Sequence, residues 1–209
     1  LDMAIESVVN LVHRGAVAAD AKTGDGAGIL TQIPLKIVKK HLNLIGSRMP
    51  EQVQDIGIGM VFLPTNNERV TQRAIDLVEQ SISRQGLILL SWRVVPTNNQ
   101  ALGNQALQSM PNIQQVIIAR PDGMDSTAFQ RALYLVRKNL ELVQGKENLE
   151  KFHIVSMSNT TLVYKGLVAA TQLGNFYIDL NDADYETSLA IFHQRYSTNT
   201  LPNWTLAQP

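Results

Sequence analysis

Apolar residues recur three and four positions apart in two early stretches of the chain. One holds Ile5, Val8, Val9 and Val12, the other Leu35, Val38, Leu42 and Ile45. That spacing predicts amphipathic helices over residues 3–12 and 35–44. The unbroken apolar run from Ile56 to Leu63, stopped by Pro64, predicts a buried strand. Asn66 or Asn67 then caps a helix reaching about Gln85, with Val70, Ala74, Leu77, Val78 and Ile82 on its inner face. Residues 87–95 and 113–119 read as strands, separated by a polar connection rich in Asn and Gln. A second long helix starts at Asp125 or Ser126 and runs to about Val143, with Gly145 ending it. Residues 152–157 and 160–164 read as a hairpin turning at Ser158-Asn159, although that pair lacks the favoured Asn-Gly turn.

Strict alternation returns near the end of the chain. Leu189, Ile191 and His193 fall on one face of a strand and Ala190, Phe192 and Gln194 on the other; Arg195, Ser197, Thr198 and Asn199 then sit at the strand's exit. A guanidinium, two hydroxyls and an amide together can hold a small carboxylate through charge-assisted hydrogen bonds, which suits an amino acid. The bland alternatives are a solvated loop with an incidental arginine and a structural ion pair. Residues 23–29, Thr-Gly-Asp-Gly-Ala-Gly-Ile, place glycine at every second position before a strand-like run. Such a run serves either as a phosphate cradle or as a strand-entry turn beneath a site. Neither phosphate-loop spacing is present, because no Lys-Ser/Thr pair follows and no helix opens after the glycines.

Composition narrows the classes of function. Eighteen basic and eighteen acidic residues in 209 leave no formal net charge, so nothing in the composition argues for nucleic acid or an anionic membrane surface. The absence of cysteine rules out disulfides and thiolate metal sites within the sequence. Apolar runs such as Leu87-Ile-Leu-Leu90 have the length of strands, not of membrane spans. His13, His41, His153 and His193 show no ligand spacing, so no metal site is expected. His193, beside Ile191 on the strand's apolar face, is expected to be a hydrogen-bonded core histidine.

His13-Arg-Gly-Ala16, the glycine run and His193-Gln-Arg-Tyr-Ser-Thr-Asn-Thr200 together resemble the class II glutamine amidotransferase domain of the glutamate synthase family. Ser91-Trp-Arg-Val-Val-Pro96, Val163-Tyr-Lys-Gly166, Phe176-Tyr-Ile-Asp-Leu180 and the run from Leu201 to Pro209 extend the resemblance over nearly the whole chain. The resemblance implies an α+β fold: the αββα four-layer sandwich of N-terminal nucleophile hydrolases, incomplete, with an α/β insertion at about residues 50–165. It further implies hydrolysis of glutamine to glutamate and ammonia, the ammonia passing to a synthase centre that converts 2-oxoglutarate to glutamate. Arg195 matches the arginine gripping the α-carboxylate of glutamine, Thr198 a residue helping to hold it, and Tyr196 and Asn199 residues shaping the pocket. Arg14, Gly15 and Asp25 match the support of the nucleophile's loop.

The family's nucleophile is an amino-terminal cysteine, and its oxyanion hole lies in a His-Asn-Gly-Glu element. Neither is in the sequence. The chain is therefore expected to be a fragment cut at both ends, carrying no catalytic residue and inactive alone. FMN and a 3Fe–4S cluster are implied for the parent enzyme and neither for this chain. Implied partners are glutamine, downstream synthase domains, and ferredoxin or a small NAD(P)H-oxidising subunit, in a bacterial cytoplasm or plastid stroma. Two rival readings are a non-catalytic amino-acid-binding or scaffolding domain and a different class II amidotransferase.

Overall fold

The computed structural model describes residues 1–10, 22–147, 149–197 and 199–208. Its elements are α1 (Asp2–Val9), β1 (Ala27–Gln32), α2 (Leu35–Leu44), β2 (Ile56–Leu63), α3 (Glu68–Arg84), β3 (Ile88–Val94), α4 (Asn104–Ser109), β4 (Asn112–Ala119), α5 (Ser126–Glu147), β5 (His153–Ser158), β6 (Thr161–Gly166), α6 (Ala170–Phe176) and β7 (Ala190–Gln194). Helices and two antiparallel sheets, in orders β6-β1-β7 and β3-β4-β2-β5, make this an α+β protein. The chain divides into two compact units. One comprises Leu1–Ile37, Val95–Met110 and Val163–Pro209, the other Val38–Val94 and Pro111–Leu162.

In the second unit the order β-α-β-β-α-β with sheet order β3-β4-β2-β5 is a split βαβ arrangement, each strand antiparallel to its neighbours. The apolar stripes of α3 (Ala74, Leu77, Val78, Ile82) and α5 (Phe129, Leu133, Val136, Leu140) share one core with Val61, Leu63, Val116, Ile118 and Ile154 of the sheet. Burying each such side chain contributes about 1.5–3 kcal/mol. Asn67 begins α3 by accepting a hydrogen bond from Arg69 N at 2.9 Å. Gly57 leaves room for α5, since a Cβ there would stand 2.8 Å from a Leu133 methyl.

The sequence reading needs two corrections here. β5 and β6 form no hairpin: β5 pairs with β2 and β6 with β1, in different sheets. Instead of a two-residue turn, the Ser158 hydroxyl accepts from the N–H groups of Thr160 and Thr161, a local turn that leaves the chain free to continue elsewhere. Nor does Gly145 end α5, which runs on to Glu147. The Arg73 guanidinium on α3 grips the Glu147 carboxylate with two bonds, 2.7 and 3.0 Å, tying down the last turn and offsetting the cost of an interior glycine.

The first unit has an aromatic core. Tyr164 and Tyr177 stack edge to face at 5.0 Å, Phe176 and Tyr177 at 4.6 Å, and Trp204 tilts against Phe176 at 5.7 Å. Each buried phenol has a partner: Tyr164 donates to the Asp179 carboxylate (2.8 Å), Tyr177 to Lys165 O (2.7 Å), and Tyr185 pairs with Thr31 Oγ1 (2.6 Å). Burial pushes the hydroxyls of Tyr177 and Tyr185 well above the usual tyrosine range. The helix expected over residues 3–12 is present as α1; its last two positions lie outside the described residues.

Candidate functional site

The glycine run is a strand-entry turn packed tightly against its surroundings. A Cβ at Gly24 would stand 2.4 Å from Ala169 N, and one at Gly28 would stand 2.5 Å from Gln208 O. Gly26 has φ +128° and lies against Ala207. Backbone occupies the space that a phosphate cradle would leave open.

That turn fixes the exit of β7. The β1–β7 ladder pairs Ala27 with Gln194 and continues as Arg195 N donates to Gly26 O at 2.8 Å. One step further, Ser197 N donates to the Asp25 carboxylate at 2.6 Å, and Asp25 is 7 % exposed. Asp25 thus secures the strand exit. Arg195 and Ser197 are both tied to the glycine turn just beyond the end of β7.

Arg195 is half-buried, and its Nη2 donates to Thr200 Oγ1. Its Nη1 and the Ser197 hydroxyl are buried with no hydrogen-bond partner among the described residues. Leaving such a charged donor unpaired costs about 1–3 kcal/mol or more. A carboxylate would satisfy it through charge-assisted bonds. Tyr196, between Arg195 and Ser197 in sequence, is 63 % exposed, and Asn199 is exposed. Arg14, Gly15 and Thr198 lie outside the described residues. Thr200, which holds one guanidinium nitrogen, escaped the sequence reading; its only signal was the hydroxyl five positions beyond the arginine.

His193 requires a correction. The predicted alternation is present, but the face carrying Ile191 (54 % exposed) and His193 points outward, while Gln194 is buried. Among the described residues nothing covers that face of β7, whose exposed positions alternate with the more buried Ala190, Phe192 and Gln194. His41, in the second unit, approaches Ser91 Oγ at 3.3 Å; burial and then the Arg93 charge hold it below the ordinary histidine range. Among the described residues no three His, Cys, Asp or Glu side chains cluster as metal ligands, and no helix is long and apolar enough to cross a membrane.

The family described as "Glutamine amidotransferases class-II" matches residues 1–209. The large chain of the NADPH glutamate synthase of Azospirillum brasilense is 40% identical over 209 residues, covering 100% of this chain and 14% of that protein. Ferredoxin-dependent glutamate synthase 2 of Synechocystis sp. is 39% identical over 210 residues, covering 100% of this chain and 13% of its own. The NADH glutamate synthase of Schizosaccharomyces pombe is 40% identical over 206 residues, 96% of this chain and 10% of that protein. The chain thus spans a small part, 10% to 14%, of the length of these relatives.

Proposed function

The chain belongs to the class II glutamine amidotransferases, and from that premise we propose that it forms the substrate-holding part of the glutaminase centre of a glutamate synthase. The carrying observation is the buried Arg195 Nη1, without a partner among the described residues, on a strand exit that Gly26 and Asp25 lock in place. The guanidinium takes the α-carboxylate of glutamine, Tyr196 and Asn199 border the bound amino acid, and Thr198 supports the same carboxylate. Arg14 and Gly15, with Asp25, brace the neighbourhood of the nucleophile.

Hydrolysis by the cysteine route needs a thiolate to attack the side-chain amide. None of these 209 residues supplies one. We therefore assign the bond-making step to another part of the polypeptide and the orientation of the substrate to this one. A substrate fixed at its α-carboxylate presents its amide at a set distance from the anchor, which lowers the entropic part of the barrier. In the whole enzyme the released ammonia goes to a synthase centre that aminates 2-oxoglutarate. We assign FMN and the iron–sulfur cluster to that centre; for the cluster the reason is that iron–sulfur clusters are held chiefly by cysteine thiolates, and this sequence has none. Electrons come from ferredoxin or from a pyridine nucleotide, the two kinds of donor that relatives of this chain are named for.

In the full-length polypeptide, Arg195→Ala should raise the KM for glutamine about tenfold to a hundredfold, the equivalent of about 1.4–2.7 kcal/mol. Arg195→Lys should remain impaired, because an ammonium meets the carboxylate as a point charge without the planar fork. Unchanged glutamine saturation in a natively folded Arg195→Ala protein would remove the assignment.

A further inference from the structure

We propose that Gln194 is a positioning residue for glutamine binding, orienting Arg195 by fixing the peptide units around it. The inference rests on Arg195 holding the substrate. Gln194 is 6 % exposed, and its side-chain amide joins three stretches of backbone. Its Oε1 accepts from Ala170 N at 2.5 Å, where α6 begins. Its Nε2 donates to Gly26 O and to Arg195 O, each at 3.4 Å. Arg195 is consequently held at both peptide groups: its N–H by Gly26 O, and its carbonyl by the amide of the residue before it. A guanidinium lies at the end of a long side chain, so a small rotation of the anchoring peptide becomes a large displacement of the fork that meets a carboxylate.

The site requires an acceptor and a donor on one planar group. Glutamine supplies both, whereas ionised glutamate keeps the acceptor and loses the donor, and leucine keeps the volume and loses both. The charged groups on segments bonded to this amide are Asp25 in the glycine turn and Arg195 itself; α6 carries none along its length. A carboxyl placed among these buried backbone groups would be desolvated, which raises its pKa toward neutrality. Protonated, it regains an O–H donor beside its carbonyl acceptor.

The experiment uses the full-length polypeptide and steady-state glutaminase kinetics at about pH 8 and about pH 6, with unfolding midpoints recorded at each pH. Gln194→Leu, which removes all three bonds, should raise the KM for glutamine about tenfold as the Arg195 fork loses its orientation, while kcat stays within about twofold. Gln194→Glu should be equally impaired at the higher pH and recover most of the loss at the lower one as its carboxyl takes up a proton. Neither wild type nor Gln194→Leu should show that recovery. A merely structural glutamine would lower the unfolding midpoints without this reversible change in KM. Wild-type KM for both variants at both pH values, with Arg195→Ala impaired, would overturn the role of Gln194 alone. An unimpaired Arg195→Ala would remove the carboxylate clamp and this proposal with it.

Discussion

At the scale of single residues, chemistry was legible where it was local and hidden where it spanned the chain. The alternation ending in Arg195 placed the guanidinium at a strand exit without any tertiary information. The Asp25 bond to Ser197 joins positions 172 apart, and no local pattern announces it. Nor can alternation say which face is buried, which is why His193 was read inward. His41 carries a prediction of its own. Burial and Arg93 disfavour its charged form in the folded state, so between its lowered folded pKa and an unfolded value of about 6.5 the unfolded chain binds more protons. Its contribution to stability is therefore present above that window and lost as pH falls through it. Wild type should lose urea midpoint more steeply than His41→Gln between about pH 7 and pH 5. Equal slopes would mean that His41 is neutral to folding.

Among elements, long periodic segments declared themselves and short ones did not. β2 and α2 have the bounds read from the sequence, whereas α4 and α6, of 6 and 7 residues, are too short to show a period and depend on tertiary packing. The false hairpin arose because adjacency in sequence is the default expectation for neighbouring strands, and here the register was decided by β1 and β2. Glycines that admit close approach give a graded test. Gly28→Ala meets the carbonyl of Gln208, a backbone atom, and should destabilise by about 3 kcal/mol; Gly57→Ala meets leucine methyls that can swing aside and should cost about 1 kcal/mol. The sequence holds two tryptophans, Trp204 in the first unit and Trp92 in the second, so urea titrations of single-tryptophan variants assign each loss to its unit. Equal costs at the two positions would refute the distinction between backbone and side-chain contacts.

On the scale of the whole chain, the second unit is written in two pieces with residues 95–110 between them. Val94 pairs with Gln114 across the ladder, so the excursion leaves and returns at neighbouring points of one sheet. Residues 35–162, with 96–111 replaced by a turn of about four residues, should fold alone and unfold cooperatively, with Trp92 fluorescence as the readout. A transition without cooperativity would show that the unit depends on the rest of the polypeptide. The first unit faces a different constraint, one of timing. Its central strand β1 is made early, yet the glutamine that bonds Gly26 lies 168 positions later. At roughly 5–20 residues per second, a nascent β1 would wait on the order of ten seconds for β7 to emerge. Throughout that interval its hydrogen-bonding edge is available to any other strand, so aggregation during synthesis should fall most heavily on truncated chains that end before β7.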